Sequence, residues 1–222
     1  MRRAILFSAA CVLATSGALS GSAIFGVCGT GFTDGTCATL AADGAADGNF
    51  TLTTGVEIAG PDAFVTSESG FPIGSGNWMA DSALGKWIGP ESPEVNDAPG
   101  VYTYQETFDL TRYNLASVVL TGAFAADNSA TVTLNGSGTL ATSSGFTSLT
   151  GFTISAGFVA GLNTIAFVVT NDAGATGNPT GLIVNLSGTG TLNAVPEPAS
   201  WVFVGLGFAA FGFLSFRRRL LA

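Results

Sequence analysis

Gly100–Leu110 reads G-V-Y-T-Y-Q-E-T-F-D-L. Tyr102, Tyr104, Phe108 and Leu110 fall on one side of a two-residue repeat, and Thr103, Gln105, Thr107 and Asp109 on the other. Successive side chains of a β-strand point to opposite faces, so this spacing predicts a half-buried strand. Glu106 is the odd member of the apolar face.

Working outward, the same period returns in short pieces. Downstream, a turn at 111–115 leads into a strand over Ser117–Phe124, and Ala125–Ser129 reads as a turn around Asp127 and Asn128. A strand over Thr131–Leu134 then runs into Asn135-Gly136, a strong hairpin signal. Past a Ser/Gly/Thr-rich stretch reaching Gly151, weaker strands are expected at Phe152–Ile154 and Phe158–Val159. Clear alternation returns in Asn163–Thr170 and Gly181–Ser187. Upstream, Asn49–Thr54 and Ala63–Thr66 are candidate strands, Trp78 and Trp87 bracket a segment ending in Ile88-Gly89-Pro90, and the loop Pro90–Pro99 should be exposed. No long segment has a 3.6-residue period. The sequence therefore predicts an all-β body over residues 24–194, a single β-sandwich of about eight or nine short strands.

Both ends of the chain differ from this body. Met1–Ala23 opens on Arg2 and Arg3, continues apolar from Ala4 to about Ala14, and turns small and polar. That pattern is a secretory signal peptide, with Ala18-Leu19-Ser20 or Gly21-Ser22-Ala23 as cleavage sites, and it implies passage through the Sec translocon. At the other end, Pro196 and Pro198 flank Glu197 in an extended segment; Trp201–Phe216 carries no charge; and Arg217, Arg218 and Arg219 follow. Sixteen residues make a helix of about 24 Å, short of the ~30 Å hydrocarbon core, with Trp201 and the arginines to anchor its ends. The reading is a transmembrane helix over 201–216 whose arginines hold the C-terminus in the cytoplasm.

Charge excludes some partners. Five of the seven bases lie in the end segments, leaving Lys86 and Arg112 against fourteen acids, a balance of −12 for the body. Such a surface repels nucleic acid. The chain has no histidine, which removes Ser-His-Asp and Cys-His nucleophile systems and imidazole metal sites. No phosphate loop, dinucleotide fingerprint or nucleophile elbow occurs. Cys28 and Cys37 survive export and should pair as a disulfide in an oxidising compartment. No cofactor is expected, and calcium has no specific ligand set, although the acidic body could attract divalent cations.

The order proline-glutamate-proline, short apolar span and terminal arginine cluster resembles the PEP-CTERM sorting signal of Gram-negative bacteria. That resemblance implies processing by an exosortase, transient residence in the inner membrane, and delivery to the cell surface or extracellular matrix. Pro196, Glu197 and Pro198 match its recognition motif, and Arg217, Arg218 and Arg219 its basic cluster. Within the body, Trp87-Ile88, G-V-Y-T-Y-Q-E-T-F-D-L, A-D-N-S-A-T-V-T-L-N-G at 126–136, F-V-A-G-L-N-T-I at 158–165 and N-P-T-G-L-I-V at 178–184 occur in order. Together they resemble the galactose-binding-like jelly roll of accessory domains in bacterial glycosidases and exported surface proteins. Carbohydrate or calcium binding is implied for some relatives and purely structural use for others.

Two functional readings stand open on these residues. One is a non-catalytic surface or matrix protein associated with exopolysaccharide or biofilm. The other is a carbohydrate-binding module with a defined site, which needs aromatic faces and convergent amides or carboxylates. Its aromatic candidates are Trp78, Trp87, Tyr102, Tyr104 and Tyr113, and the contacts singled out are Trp87, Tyr113, Asp127 and Asn128, each with a bland rival: core packing for the aromatic rings, an Asx turn for the Asp-Asn pair. A glycoside hydrolase is a remote third reading; Glu91 and Glu94 are its nearest carboxylate pair, read as solvated loop residues.

Overall fold

The computed structural model describes residues 21–56, 60–174 and 177–194. Residues 1–20 of the expected signal peptide Met1–Ala23, and the expected helix over 201–216, lie outside the described residues. Among the described residues, no helix is long and apolar enough to cross a membrane.

Eleven strands follow in order: β1 (Ser22–Ala23), β2 (Ala46–Thr54), β3 (Asp62–Val65), β4 (Ile88–Gly89), β5 (Gly100–Asp109), β6 (Val119–Asp127), β7 (Ser129–Leu134), β8 (Ala141–Ser144), β9 (Thr150–Ile154), β10 (Leu162–Asn171) and β11 (Gly181–Gly190). Their hydrogen-bonded order is β8-β7-β10-β5-β2-β3-β4-β11-β6-β9, with β1 added on β11. The short strands β3 and β4 form the hinge of a sheet folded into two layers. From β5 onward the chain crosses repeatedly between the layers, as a jelly roll does: β5 lies in one, β6 in the other, β7 and β8 in the first, β9 in the second, β10 in the first and β11 in the second.

The register explains why alternation decides the fold. Val132 of β7, Phe167 of β10, Tyr104 of β5 and Leu52 of β2 stand directly opposite one another across four strands, and all four are buried. In the facing layer Val184 of β11 opposes Phe124 of β6. The layers meet through rings: Phe167 lies 5.3 Å from Phe124, 6.1 Å from Phe152 and 6.0 Å from Phe50 between centroids. Thr103, Thr107, Thr131, Thr133, Thr164 and Asn185 occupy the alternate positions and are exposed or half-buried.

Several expectations are corrected. The strand count is eleven, because β8 lies in the Ser/Gly/Thr stretch and β1 and β4 are only two residues long. Ala125–Ser129 is not a turn: β6 runs to Asp127 and β7 starts at Ser129, with Asn128 alone at the corner. Phe158–Val159 is irregular, held by Asn163, whose side chain accepts from the Val159 N–H and donates to its carbonyl. The loop Pro90–Pro99 is exposed except for the buried Pro90 and Glu94 and the half-buried Asp97 and Ala98, and Glu94 is 1% exposed. The Asn135-Gly136 turn forms as read, with φ of 52° and 70° and the Ser137 N–H bonded to the Leu134 carbonyl.

The segment before β2 is a strap stitched to the sandwich. Cys28 and Cys37 are joined by a disulfide. The Cys28 N–H donates to Glu106, the misfit on the apolar face of β5, whose carboxyl is buried and pushed well above the usual carboxylate range by desolvation. Thr30 accepts from the Val184 N–H and donates to the Lys86 carbonyl, so its hydroxyl stands in for a strand partner. Beside it, a Cβ on Gly29 would sit 2.0 Å from the Leu84 carbonyl oxygen, and only glycine fits.

This packing sets one expectation. Phe167→Ala should cost about 3–5 kcal/mol through lost burial and a cavity, while Thr133→Ala should cost well under ~1 kcal/mol. Urea denaturation of the body carrying each change compares them; equal, small effects would contradict the strand phase.

Candidate functional site

A cavity of about 400 Å³ opens at the loop end where β6 turns into β7. Its walls are Phe71, Asn77 and Trp78 from the β3–β4 connection, Asp127 and Asn128 at the corner, Phe146 from the β8–β9 loop, and Asn178 before β11. Each wall is fixed by a nameable contact. Trp78 Nε1 donates to Asp127 Oδ2 at 2.8 Å, and the Met79 N–H donates to the Phe146 carbonyl at 2.9 Å. The Asp172 N–H donates to Asn128 Oδ1 at 2.7 Å, so the Asn128 side chain's remaining polar group is its NH₂ donor. Asn178 donates from Nδ2 to the Asp172 carbonyl at 3.1 Å and to Asn171 Oδ1 at 3.3 Å.

Behind the cavity lies a second small core. Trp78 and Trp87 pack with centroids 4.3 Å apart, together with Ile73, Ala125 and Ile183, against the outer face of the β6–β11 layer. Coverage on both faces is why Gly181–Val184 is buried at four consecutive positions rather than alternating. The expectation for Trp87 is corrected on this ground: the ring is fully enclosed, its Nε1 donates to the Met79 carbonyl, and no face remains for a ligand. Tyr113 sits in a different cavity, half-buried, its hydroxyl donating to the Ala23 carbonyl at 2.9 Å. Of the four contacts singled out in the sequence, the structure brings together Asp127 and Asn128 only.

Trp78 is among the aromatic candidates of the sequence; Phe71, Asn77, Phe146 and Asn178 are not. Phe71 and Phe146 are lone aromatic residues in Gly/Ser-rich loops, a weak signal that a loop ring has something to cover. Asn77 and Asn178 carry no distinguishing pattern in a chain rich in small polar residues.

The electrostatics are those of buried acids. Burial, opposed by the Trp78 N–H and reinforced by Asp172, raises the Asp127 carboxyl to about 6. Beneath the same end, Glu94 accepts from the Thr180 N–H, as does Asp97, and one Glu94 carboxyl oxygen has no hydrogen-bond partner. Burial first, then the neighbouring Asp97 carboxyl, raises Glu94 to about 11, so it is protonated at neutral pH. That proton makes the loop Pro90–Pro99 compatible with its buried seat. Glu91 is exposed and Glu94 enclosed, so they do not present a carboxylate pair to a common cleft. Among the described residues, no group of three or more Cys, Asp or Glu side chains could hold a metal ion.

Residues 194–219 match the PEP-CTERM protein-sorting motif family. No curated protein matches the chain. Among solved structures, it is similar to a family 29 carbohydrate-binding module mutant complexed with mannohexaose, at 12% identity over 65% of this chain and 92% of that one, TM-score 0.30. A second carbohydrate-binding module of family 29 is similar at 12% identity over 63% and 87%, TM-score 0.30. Likeness at that TM-score bears neither on this fold nor on what the chain binds.

Stability should fall as pH rises through neutrality. Glu94, Glu106, Asp47, Asp81 (to about 6) and Asp127 all hold their protons more tightly when folded, so each stabilises fully below its unfolded value and less as pH passes its folded value. The urea midpoint should therefore be higher at pH 5 than at pH 8. Glu94→Gln, which keeps an acceptor for Thr180, should flatten the slope; a flat profile in the unsubstituted protein would contradict the burial of these acids.

Proposed function

We propose that this chain is a non-catalytic, exported protein of the Gram-negative cell surface or extracellular matrix. It is held in the inner membrane by its C-terminal segment until an exosortase processes it, and it associates with exopolysaccharide. The observation that carries this reading is the sorting motif at residues 194–219. The body is consistent with life outside the cytoplasm: its strap is closed by a disulfide, and its single described salt bridge, Lys86 to Asp43 at 2.6 Å, engages one of only two body cations. Protein recovered from the surface or medium should have an intact mass lacking Trp201–Ala222, and cells without exosortase should retain the full-length form in their membranes. A released form still carrying the C-terminal run would contradict the reading.

A second reading is favoured by the loop-end cavity. Phe71, 37% exposed, and the half-buried Phe146 offer ring faces to sugar C–H groups. Asn77, Asn128 and Asp127 supply donors and acceptors for hydroxyls. A neutral saccharide fits this set, because an acidic one would meet Asp127 and the net negative body. Binding of neutral oligosaccharides by the processed protein should weaken about tenfold, the equivalent of ~1.4 kcal/mol, in Phe71→Ala or Asn77→Ala. Trp87→Phe, beneath the cavity, should leave binding unchanged. A glycan array with no neutral saccharide above background would remove this second reading.

A further inference from the structure

We propose that the pole of the body carrying Phe25, Leu162 and Leu192 rests on the lipid surface while the chain is still tethered by its C-terminal segment. Phe25 is 71% exposed, Leu162 73% and Leu192 37%, and the three line one cavity of about 390 Å³ with Tyr113 and Arg112. Phe25 also borders a neighbouring groove of about 540 Å³, whose far side bears Leu84, 64% exposed. Single apolar residues on a surface are ordinary; three large ones lining one cavity at this end mark a contact face.

The chain itself says what covers that face. β1 pairs antiparallel with β11, Ser22 opposite Gly190, and Tyr113 bridges to Leu192, so the described chain begins and ends at this pole. Eight residues separate Leu192 from Trp201, where the uncharged run begins. Even fully extended they span no more than about 30 Å. A tether of that length holds the pole close to the bilayer and makes contact with it effectively intramolecular. Phenylalanine and leucine enter the headgroup boundary readily, while Tyr113 and Arg112 each join an apolar stem to a polar tip suited to that depth. Asp109 lines the same cavity as Arg112, so the face is not basic. Contact is therefore made by apolar insertion rather than by attraction to anionic headgroups, and it ends when the exosortase cuts the tether.

The inference rests on the reading that the C-terminal segment inserts in the membrane, and the experiment separates the two. Full-length chain from cells lacking exosortase is mixed with vesicles of phosphatidylethanolamine and phosphatidylglycerol, and flotation reports insertion of the tail. Hydrogen exchange of peptides covering residues 24–27, 111–114 and 159–163 reports the pole. Exchange there should be slowed several-fold relative to the processed body in solution. It should return to the solution rate in full-length Phe25→Ser/Leu162→Ser, whose melting is unchanged because both side chains are exposed. Flotation without slowed exchange overturns the proposal and leaves the tail reading standing; failure to float overturns both. Slowed exchange in the processed body alone, growing with protein concentration, would assign the face to a second copy and also overturn it.

Discussion

Phe167 is the residue on which the two layers close. Its ring meets Phe50 from its own layer and Phe124 and Phe152 from the other, in tilted or edge-on contacts between 5.3 and 6.1 Å. Aromatic rings bury much area and attract beyond that area when one edge meets another face. Because side chains alternate strictly, fixing Phe167 inward fixes Ile165 and Val169 with it, and the register carries the choice to Leu134, Val132, Tyr104 and Tyr102. A one-residue slip would turn threonines into this cluster and rings into water.

The same constraint makes room for buried acids. Glu106 falls on the inward face because its strand neighbours require it, and the chain answers with the strap: Cys28 gives it an N–H and the disulfide holds the loop that brings Cys28 there. Glu94 enters from the Pro90–Pro99 loop, accepts from the Thr180 N–H beside Asp97, and is held as a neutral acid. Gly89 is what leaves space for it, since a Cβ there would stand 2.2 Å from a Glu94 carboxyl oxygen. Loops that carry no regular structure are thus held by a few enclosed carboxyls. The loop-end cavity inherits its shape from that arrangement, through Asp127 beneath Trp78 and through Asn178 beside Asp97.

The long strands were legible because burial on one face imposes a period of two, and Gly100–Leu110 and Asn163–Thr170 show it. Where both faces are covered the period vanishes, as at Gly181–Val184, and where a strand is held by neighbours rather than by its own pattern, as β8 is, nothing in its residues announces it. The sharp corner at Asn128 was read as a five-residue turn because Asp, Asn and Ser favour turns locally, yet the ladders on both sides run to within one residue of it. Asp127 and Asn128 were visible as site candidates for the same local reason. Phe71, Asn77 and Phe146 were not, because they converge only through loop packing between segments about seventy residues apart. Trp87 looked available because sequence cannot say which outer sheet face a loop will cover.

The central claim is that two layers face each other across the Phe124–Phe167 contact, and a double-mutant cycle in urea tests it most directly. Phe124→Leu, Phe167→Leu and the pair would be compared in the processed body. The account predicts a coupling of about 0.5–1.5 kcal/mol, the worth of an edge-to-face pair beyond its buried area. Losses that simply add, to within ~0.3 kcal/mol, would place the two rings apart and contradict the sandwich.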